Sequence, residues 1–210
     1  MTLFEVGNPR MLPTWQQYLE SVAYRYLSEK LTEPYFFFVL GPIETPNPFN
    51  NNEWDDFAIL NGLRIMKEYN DKIFTVFKPH PLTNMAQFQK MLEDIEYKNY
   101  IILNIHPFII SKKAKFALSL FSSTVLVDVH DVGCPTIDFV HYDGRGMDVI
   151  GQNSLLNNYV DYYIDGDEEE LKATVDGLLN KDATPSDRIS QEKVTTVPLA
   201  RRMSEILELA

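Results

Sequence analysis

The stretch YFFFVLG, residues 35–41, limits the fold more than any other part of this sequence. It is an unbroken apolar run of strand length that ends at a glycine. Strands that are apolar at every position are typical of parallel sheets, because helices cover both faces of such sheets. Further runs of strand length recur along the chain, at 73–78, 100–105, 115–121, 135–141 and 160–164. The sequence therefore predicts a parallel sheet with a buried strand at 35–41.

Segments with the spacing of amphipathic helices separate these runs. Residues 14–31 carry apolar side chains at helical spacing, and Thr14 is the predicted N-cap. Further helices are predicted at 54–69, 84–95, 123–131, 167–180 and 198–209, with a short helix or turn at 111–114. Strands that alternate with helices predict an α/β fold, a doubly wound, Rossmann-like parallel sheet with helices on both faces.

Composition and charge remove several classes of function. The net charge of −11 disfavours broad nucleic-acid binding, which needs a basic surface, but it leaves room for a small local anion site. The single cysteine, Cys134, excludes an intrachain disulfide and a cysteine-based zinc site. Neither a signal peptide nor a run of about 20 apolar residues is present, so the predicted location is cytoplasmic.

Ligands of doubly wound sheets bind in the crevice beyond the carboxyl ends of the strands. Polar or small residues that follow predicted strands are therefore the candidate site residues. They are Gly41, His80, His106, Ser122 with Ser123, and His141.

The segment FSST, 121–124, joins a predicted strand to a predicted helix. Small hydroxyl side chains beside the free N–H groups of a helix N-terminus form a ready phosphate site. The plainer interpretation is that Ser122 or Ser123 only caps the helix. Taken alone, the segment favours the cap.

The segment KPHP, 78–81, ends another strand with Lys78 and then places His80 between two prolines. Prolines fix the backbone and remove N–H donors, so this loop can hold an imidazole in one direction. A histidine can hydrogen-bond a phosphate oxygen and, when protonated, stabilise charge on a leaving group. The plainer interpretation is a turn histidine beside a surface lysine. Taken alone, a His-Pro segment favours this plainer interpretation; combined with FSST, KPHP is interpreted as one wall of a phosphate site whose other wall is FSST.

The other motifs narrow the function further. The loop at His106 and Pro107 is a candidate contact for a nucleotide base through its backbone, while the His106 side chain itself is interpreted as structural. The loop after Gly41 lacks GxGxxG, which argues against a dinucleotide dehydrogenase, and the absence of GxxxxGK[ST] argues against a P-loop NTPase. No HExxH or clustered carboxylate set indicates a metal. Cys134 is predicted to be a small buried hydrophobe.

In their order and spacing, five segments resemble the C-terminal half of GT-B glycosyltransferases. They are GNPR (7–10), the strand to Gly41, KPHP (78–81), FSST (121–124) and GCPTIDF (133–139). The resemblance is to the bacterial surface-polysaccharide group with an HP motif and an S or SS motif, which includes capsule, polysialyl- and CDP-glycerol-type transferases. It covers most of residues 6–180.

The resemblance implies a donor-binding role for particular residues of this chain. The HP histidine and the serine pair of that group hold the phosphates of a CMP- or CDP-linked donor. The implied catalytic residue is His80, and the implied phosphate contacts are Lys78, His80, Ser122, Ser123 and Thr124. The implied base and ribose loop comprises Gly41, His106, Asp128, His141 and Tyr142. Where many members carry Glu-Ala before Gly-x-Pro, this chain has VDVHDVGCP, so Asp128 or Asp131 is the candidate ribose contact.

The resemblance also implies a domain organisation. A linker and helix are expected at 1–33, the Rossmann-like donor-binding domain at 34–183, and a C-terminal segment with a helix at 184–210. GNPR resembles the linker into the second GT-B domain, so an acceptor-binding half is expected upstream or on a partner chain, and this chain alone is expected to be inactive. No cofactor or metal is expected. The resemblance implies that the substrate is a nucleotide-activated sugar or a CDP-alditol and that the full enzyme associates peripherally with the membrane, and a face left exposed is expected to favour homo-oligomers.

Three other interpretations stay open on the sequence. One is a UDP-sugar-using GT-B relative, such as a 2-epimerase, which needs a fuller set of carboxylates and histidines. Another is a non-catalytic half-enzyme that senses a nucleotide or assembles a partner. The third is a flavodoxin-like interaction domain, in which KPHP is only a turn and FSST only a cap. Only this last interpretation predicts that the purified chain binds no nucleotide.

Overall fold

A computed structural model describes residues 13–31, 33–43, 52–120, 123–140 and 156–180 of the chain. The strands are β1 Tyr35–Val39, β2 Phe74–Lys78, β3 Tyr100–Ile102, β4 Ala114–Ser119, β5 Thr136–Val140 and β6 Tyr162–Asp165. The helices are α1 Pro13–Lys30, α2 Asn52–Lys67, α3 Met85–Asp94, α4 Pro107–Ser111, α5 Val125–His130 and α6 Glu168–Asn180, with a 3-10 turn at Asn157–Tyr159. The predicted alternation of strands and helices is confirmed.

The six strands form one sheet in which every pair is parallel, in the order β3-β2-β1-β4-β5-β6. This is the strand order of the Rossmann fold. After β1 the chain builds outward to β2 and β3, and it then returns to the other side of β1 to add β4, β5 and β6. The order therefore reverses between β1 and β4, which is the topological switch point where ligands of such sheets bind.

All five residues of β1 are buried, because helices cover both faces of the sheet. Phe36 and Phe38 point into a core built with α2, α3 and α6. Tyr35, Phe37 and Val39 point into a second core built with α1, α4 and α5. The predicted layer of helices on each face is confirmed, and β1 is the buried strand that its unbroken apolar run indicates.

The register places the carboxyl ends of three strands side by side. Val39, the last residue of β1, pairs with Lys78 of β2 on one side and with Ser119 of β4 on the other. The loops that follow β1, β2 and β4 therefore begin at the same edge of the sheet.

Two local predictions are wrong, and a third is confirmed only in part. The short helix or turn predicted at 111–114 is a turn at residues 112 and 113, but the helix that precedes it, Pro107–Ser111, was not predicted. That helix begins earlier because His106 provides its N-cap and Pro107 suits the first helical turn. Helix α1 begins at Pro13, so Thr14 is inside the helix and is not its N-cap. Strand β3 ends at Ile102 and is shorter than the predicted run.

Two further predictions lie outside the described residues, namely the GNPR linker and the helix at 198–209. Among the helices that are described, none has both the length and the apolar composition needed to cross a bilayer.

Candidate functional site at the carboxyl edge of the sheet

The turn after β2 holds His80 through three hydrogen bonds. The backbone N–H of His80 donates to Oγ1 of Thr83 at 2.9 Å, and the N–H of Thr83 donates to the carbonyl oxygen of His80 at 2.9 Å. The N–H of Leu82 donates to Nδ1 of the His80 ring at 3.1 Å. The sequence KPHPLT thus closes into a compact turn that fixes the position of the imidazole.

These contacts determine which ring nitrogen of His80 is available to a ligand. Since Nδ1 accepts from Leu82, it carries no proton, and the proton of the neutral ring lies on Nε2. Partial burial lowers the pKa of His80, and the positive charge of Lys78 lowers it further. At neutral pH the imidazole is therefore uncharged and offers Nε2–H as a hydrogen-bond donor from an exposed position.

Lys78 supplies the positive charge beside this donor. It is the last residue of β2 and is half-buried, and that burial lowers its pKa. No salt bridge to Lys78 occurs within the described part of the chain. A partly buried cation without a carboxylate partner is favourable for binding an anion, because the anion offsets the cost of desolvating the ammonium group.

The loop after β1 is tied directly to the His80 turn. Oγ1 of Thr83 donates to the carbonyl oxygen of Gly41 at 3.0 Å, and Thr83 also forms an isolated parallel bridge with Ile43. The N–H of Leu40 donates to the carbonyl oxygen of Lys78 at 3.0 Å. The predicted site residues Gly41, Lys78 and His80 are therefore brought together, and Thr83, which the sequence reasoning missed, joins them.

Ser123 occupies the opposite side of the switch point. Its N–H donates to Oγ of Ser119 at 3.3 Å, and its own Oγ accepts from the N–H of Val125 at 3.3 Å. Ser123 thus accepts the first free N–H of α5, although it lies one residue before the N-cap residue, Thr124. Thr124 is exposed and makes no side-chain cap. With only six residues, α5 adds little dipole to a phosphate site, so Lys78 and His80 carry most of the electrostatic argument. Ser122 lies outside the described residues.

The acids of α5 form a group of their own. Asp128 is buried in α5, and Asp131 follows the helix as its C-cap residue. Burial raises the pKa of Asp131 to about 6, and the charge of Asp128 adds to the effect. Oδ2 of Asp131 is buried and has no hydrogen-bond partner among the described residues. No described contact brings either acid to Lys78 or His80, so a ribose contact by Asp128 stays a prediction.

His106 has a structural role, as its sequence context suggests. Its Nδ1 accepts from the N–H of Phe108 at 3.3 Å and so caps α4. Its ring also meets the Trp15 ring edge-on, with the centroids 6.1 Å apart. The other members of the predicted base and ribose loop that follow β5, His141 and Tyr142, lie outside the described residues.

A buried polar row at the same edge was missed from the sequence. Ser119 of β4 pairs in register with Asp138 of β5, which pairs with Tyr163 of β6, so all three lie on the sheet face that α5 covers. Ser119 and Asp138 are 1% and 0% exposed. Burial and the nearby acids Asp165 and Asp138 raise the pKa of Tyr163 to about 12. The sequence signal that could have revealed this row is Asp138, an acid that interrupts the otherwise apolar strand TIDFV.

No protein-family model matches the chain, and a search of the curated proteins finds no match either. The function therefore has to be inferred from the edge of the sheet and the side chains gathered there.

Proposed function

We propose that this chain is the donor-nucleotide-binding domain of a GT-B glycosyltransferase for cell-surface polysaccharide, and that it binds the phosphates of a CMP- or CDP-type donor. One observation carries the proposal. The unpartnered cation of Lys78 and the Nε2–H donor of His80 lie together at the carboxyl edge of a parallel sheet, beside its topological switch point. Within the described residues, no carboxylate pairs with that cation.

The chemistry of these two groups suits a phosphate. A phosphate oxygen accepts the Nε2–H of His80 while the ammonium group of Lys78 offsets the negative charge. Because His80 is neutral before the ligand binds, its first role is that of a hydrogen-bond donor. A bound phosphate raises the pKa of the imidazole, so the ring can become protonated as charge grows on the leaving nucleotide. That stabilisation is electrostatic and calls for no metal.

The donor class comes from the order of the motifs. KPHP, FSST and GCPTIDF occur in the order of the surface-polysaccharide transferases, which favours a cytidine nucleotide in the site. On this proposal the chain works in the cytoplasm, with an acceptor-binding domain from the same gene or a partner chain. The full enzyme then acts at the inner surface of the membrane.

Calorimetric titration of the folded chain tests the proposal. The ligands are CMP, CDP, UDP, GDP and inorganic pyrophosphate. Lys78→Met removes the cation, and His80→Asn keeps an acceptor for the Leu82 N–H while removing the donor at the Nε2 position. Lys90→Met, at an exposed lysine of α3, is the matched control. Each site variant should weaken CDP binding about tenfold or more, which corresponds to about 1.4 kcal/mol.

The ligand series also separates the alternatives. A preference for UDP keeps the fold and the phosphate site but changes the donor to a UDP-sugar. Absence of binding to any of the five ligands by a well-folded chain would overturn the proposal. Equal losses of nucleotide affinity in Lys90→Met and Lys78→Met would show that the effect comes from net charge in general and not from this site.

One observation favours a second candidate, an interaction domain without a nucleotide ligand. The hydroxyl of Ser123 is engaged as a cap by the N–H of Val125, which is the whole role of this serine in such a domain. The two candidates differ for Ser123→Ala. In a donor site this variant weakens nucleotide binding as well as stability, whereas in an interaction domain it changes stability alone.

A further inference from the structure

The hydroxyl of Thr83 contacts both loops of the candidate site, through hydrogen bonds of 3.0 Å or less. It accepts from the N–H of His80 at 2.9 Å and donates to the carbonyl oxygen of Gly41 at 3.0 Å. A hydroxyl group can donate one hydrogen bond and accept at the same time, which no apolar side chain can do. Thr83 is 9% exposed, so water has little access to replace either bond.

The backbone of Thr83 adds two further constraints. Its N–H donates to the carbonyl oxygen of His80 at 2.9 Å, so His80 and Thr83 exchange hydrogen bonds in both directions. Its bridge to Ile43 aligns the turn with the chain that leaves β1. The remaining bond of the turn, from the N–H of Leu82 to Nδ1 of His80, depends on this closed geometry because Leu82 lies between the two paired residues.

We infer that Thr83 is a positioning residue for His80: its hydroxyl holds the His80 turn against Gly41, so that the loops after β1 and β2 form one rigid wall of the site. The effect of Thr83 on ligand binding rests on the proposed function, whereas its effect on the position and protonation of the His80 imidazole does not. Thr83 touches no ligand in this scheme and acts through His80. The half-buried Lys78 is the charged neighbour that acts on this imidazole.

A matched pair of substitutions tests the inference. Thr83→Val keeps the shape of the side chain and removes the hydroxyl, whereas Thr83→Ser keeps the hydroxyl and removes the methyl group. Two readouts use the ligand-free chain: the tautomer of His80 by long-range proton–nitrogen NMR, and the pKa of His80 by NMR titration. The third readout is the affinity for inorganic pyrophosphate.

Thr83→Ser should keep the Nε2–H tautomer, the lowered pKa and an affinity within about twofold of the wild type. In Thr83→Val the turn opens, the pKa of His80 rises toward its ordinary value, and pyrophosphate binds at least about fivefold more weakly. A folded Thr83→Val with the wild-type tautomer, pKa and affinity would overturn the inference. Failure of the wild type to bind pyrophosphate would overturn the proposed function, and the two imidazole readouts would still decide the role of Thr83.

Amide hydrogen exchange in the wild type keeps the inference testable if Thr83→Val does not fold. The amide of His80 should be protected to the same degree as the amides of β2, because it is bonded to a nearly buried hydroxyl. Exchange at the rate of an open loop, or an Nδ1–H tautomer in the wild type, would contradict the hydrogen bonds on which the inference depends.

Discussion

The backbone N–H of Leu82 points at Nδ1 of His80, 3.1 Å away, and this contact sets the chemistry of the imidazole. Protonation of Nδ1 would turn one N–H toward another and break the hydrogen bond. The turn therefore favours the neutral ring, in the same direction as the partial burial of His80 and the charge of Lys78. On the proposed function, a bound phosphate would oppose all three effects, so the protonation of His80 would report on phosphate binding.

The first prediction concerns the origin of the lowered pKa of His80. Lys78→Met removes a nearby positive charge, so the pKa of His80 should rise. It should stay below the ordinary value, because burial is the larger cause of the shift and the variant retains it. NMR titration of the imidazole in the wild type, Lys78→Met and Lys90→Met measures the effect. An unchanged pKa in Lys78→Met would mean that the lysine does not act on this ring.

The sheet was predictable because its signal is local. In β1, five consecutive buried residues appear in the sequence as five consecutive apolar letters, YFFFV. The two-sided burial of a parallel strand follows from that run alone. Since parallel strands all end at one edge, Gly41, Lys78 and His80 could also be placed together before any coordinates were known.

The polar contacts within the site were not predictable, because they depend on which strands are neighbours. Ser119 and Asp138 become partners only once β4 lies beside β5, and nothing near either residue in the sequence states this pairing. Thr83 likewise reaches Gly41 across 42 positions of sequence. The start of α4 was not predicted for a different reason. His106 is its N-cap, and histidine is not among the usual N-cap residues.

The second prediction concerns Asp131 and the dependence of stability on pH. Its pKa of about 6 in the folded chain is above the ordinary 3.8, so the folded state binds this proton more tightly than the unfolded state does. The free energy of unfolding should therefore fall as the pH rises between these two values. The full difference between these two pKa values corresponds to about 3 kcal/mol of unfolding free energy. Because Asp131 is only half-buried and solvent screens it, we expect about 1 kcal/mol.

Asp131→Asn removes the charge and tests this account. The variant should be more stable than the wild type at about pH 8, with a much smaller difference at about pH 4, near the unfolded pKa of Asp131. Urea denaturation at both pH values measures the change, and Asp71→Asn, at an exposed residue after α2, is the control. A variant that is equally stabilised at both pH values would show that packing, and not the charge of Asp131, is responsible.

The third prediction concerns the buried hydrogen bond between Thr75 and Tyr97. Their hydroxyl oxygens are 2.8 Å apart, and both residues are buried, Thr75 in β2 and Tyr97 in the loop between α3 and β3. Tyr97→Phe removes one partner and leaves a buried hydroxyl behind, which should cost about 1–3 kcal/mol of unfolding free energy. Thr75→Val in the same chain removes the second partner. The double variant should then lose less stability than the sum of the two single losses. If the losses of unfolding free energy in the two single variants simply add in the double variant, as measured by urea denaturation, the two hydroxyls are not coupled.

The last prediction contrasts two helical glycines that differ only in their surroundings. A Cβ added at Gly177 in α6 would meet no atom within 4 Å, whereas one added at Gly62 in α2 would lie 3.0 Å and 3.3 Å from the two Cδ atoms of Leu120. Alanine is more favourable than glycine inside a helix by about 1 kcal/mol. Gly177→Ala should therefore raise the unfolding free energy by about 0.5–1 kcal/mol. Gly62→Ala should gain little or lose stability, because Leu120 is 1% exposed and its side chain has little room to move. Equal gains in thermal denaturation would show that α2 does not approach Leu120, the residue after β4, as closely as the structure has it.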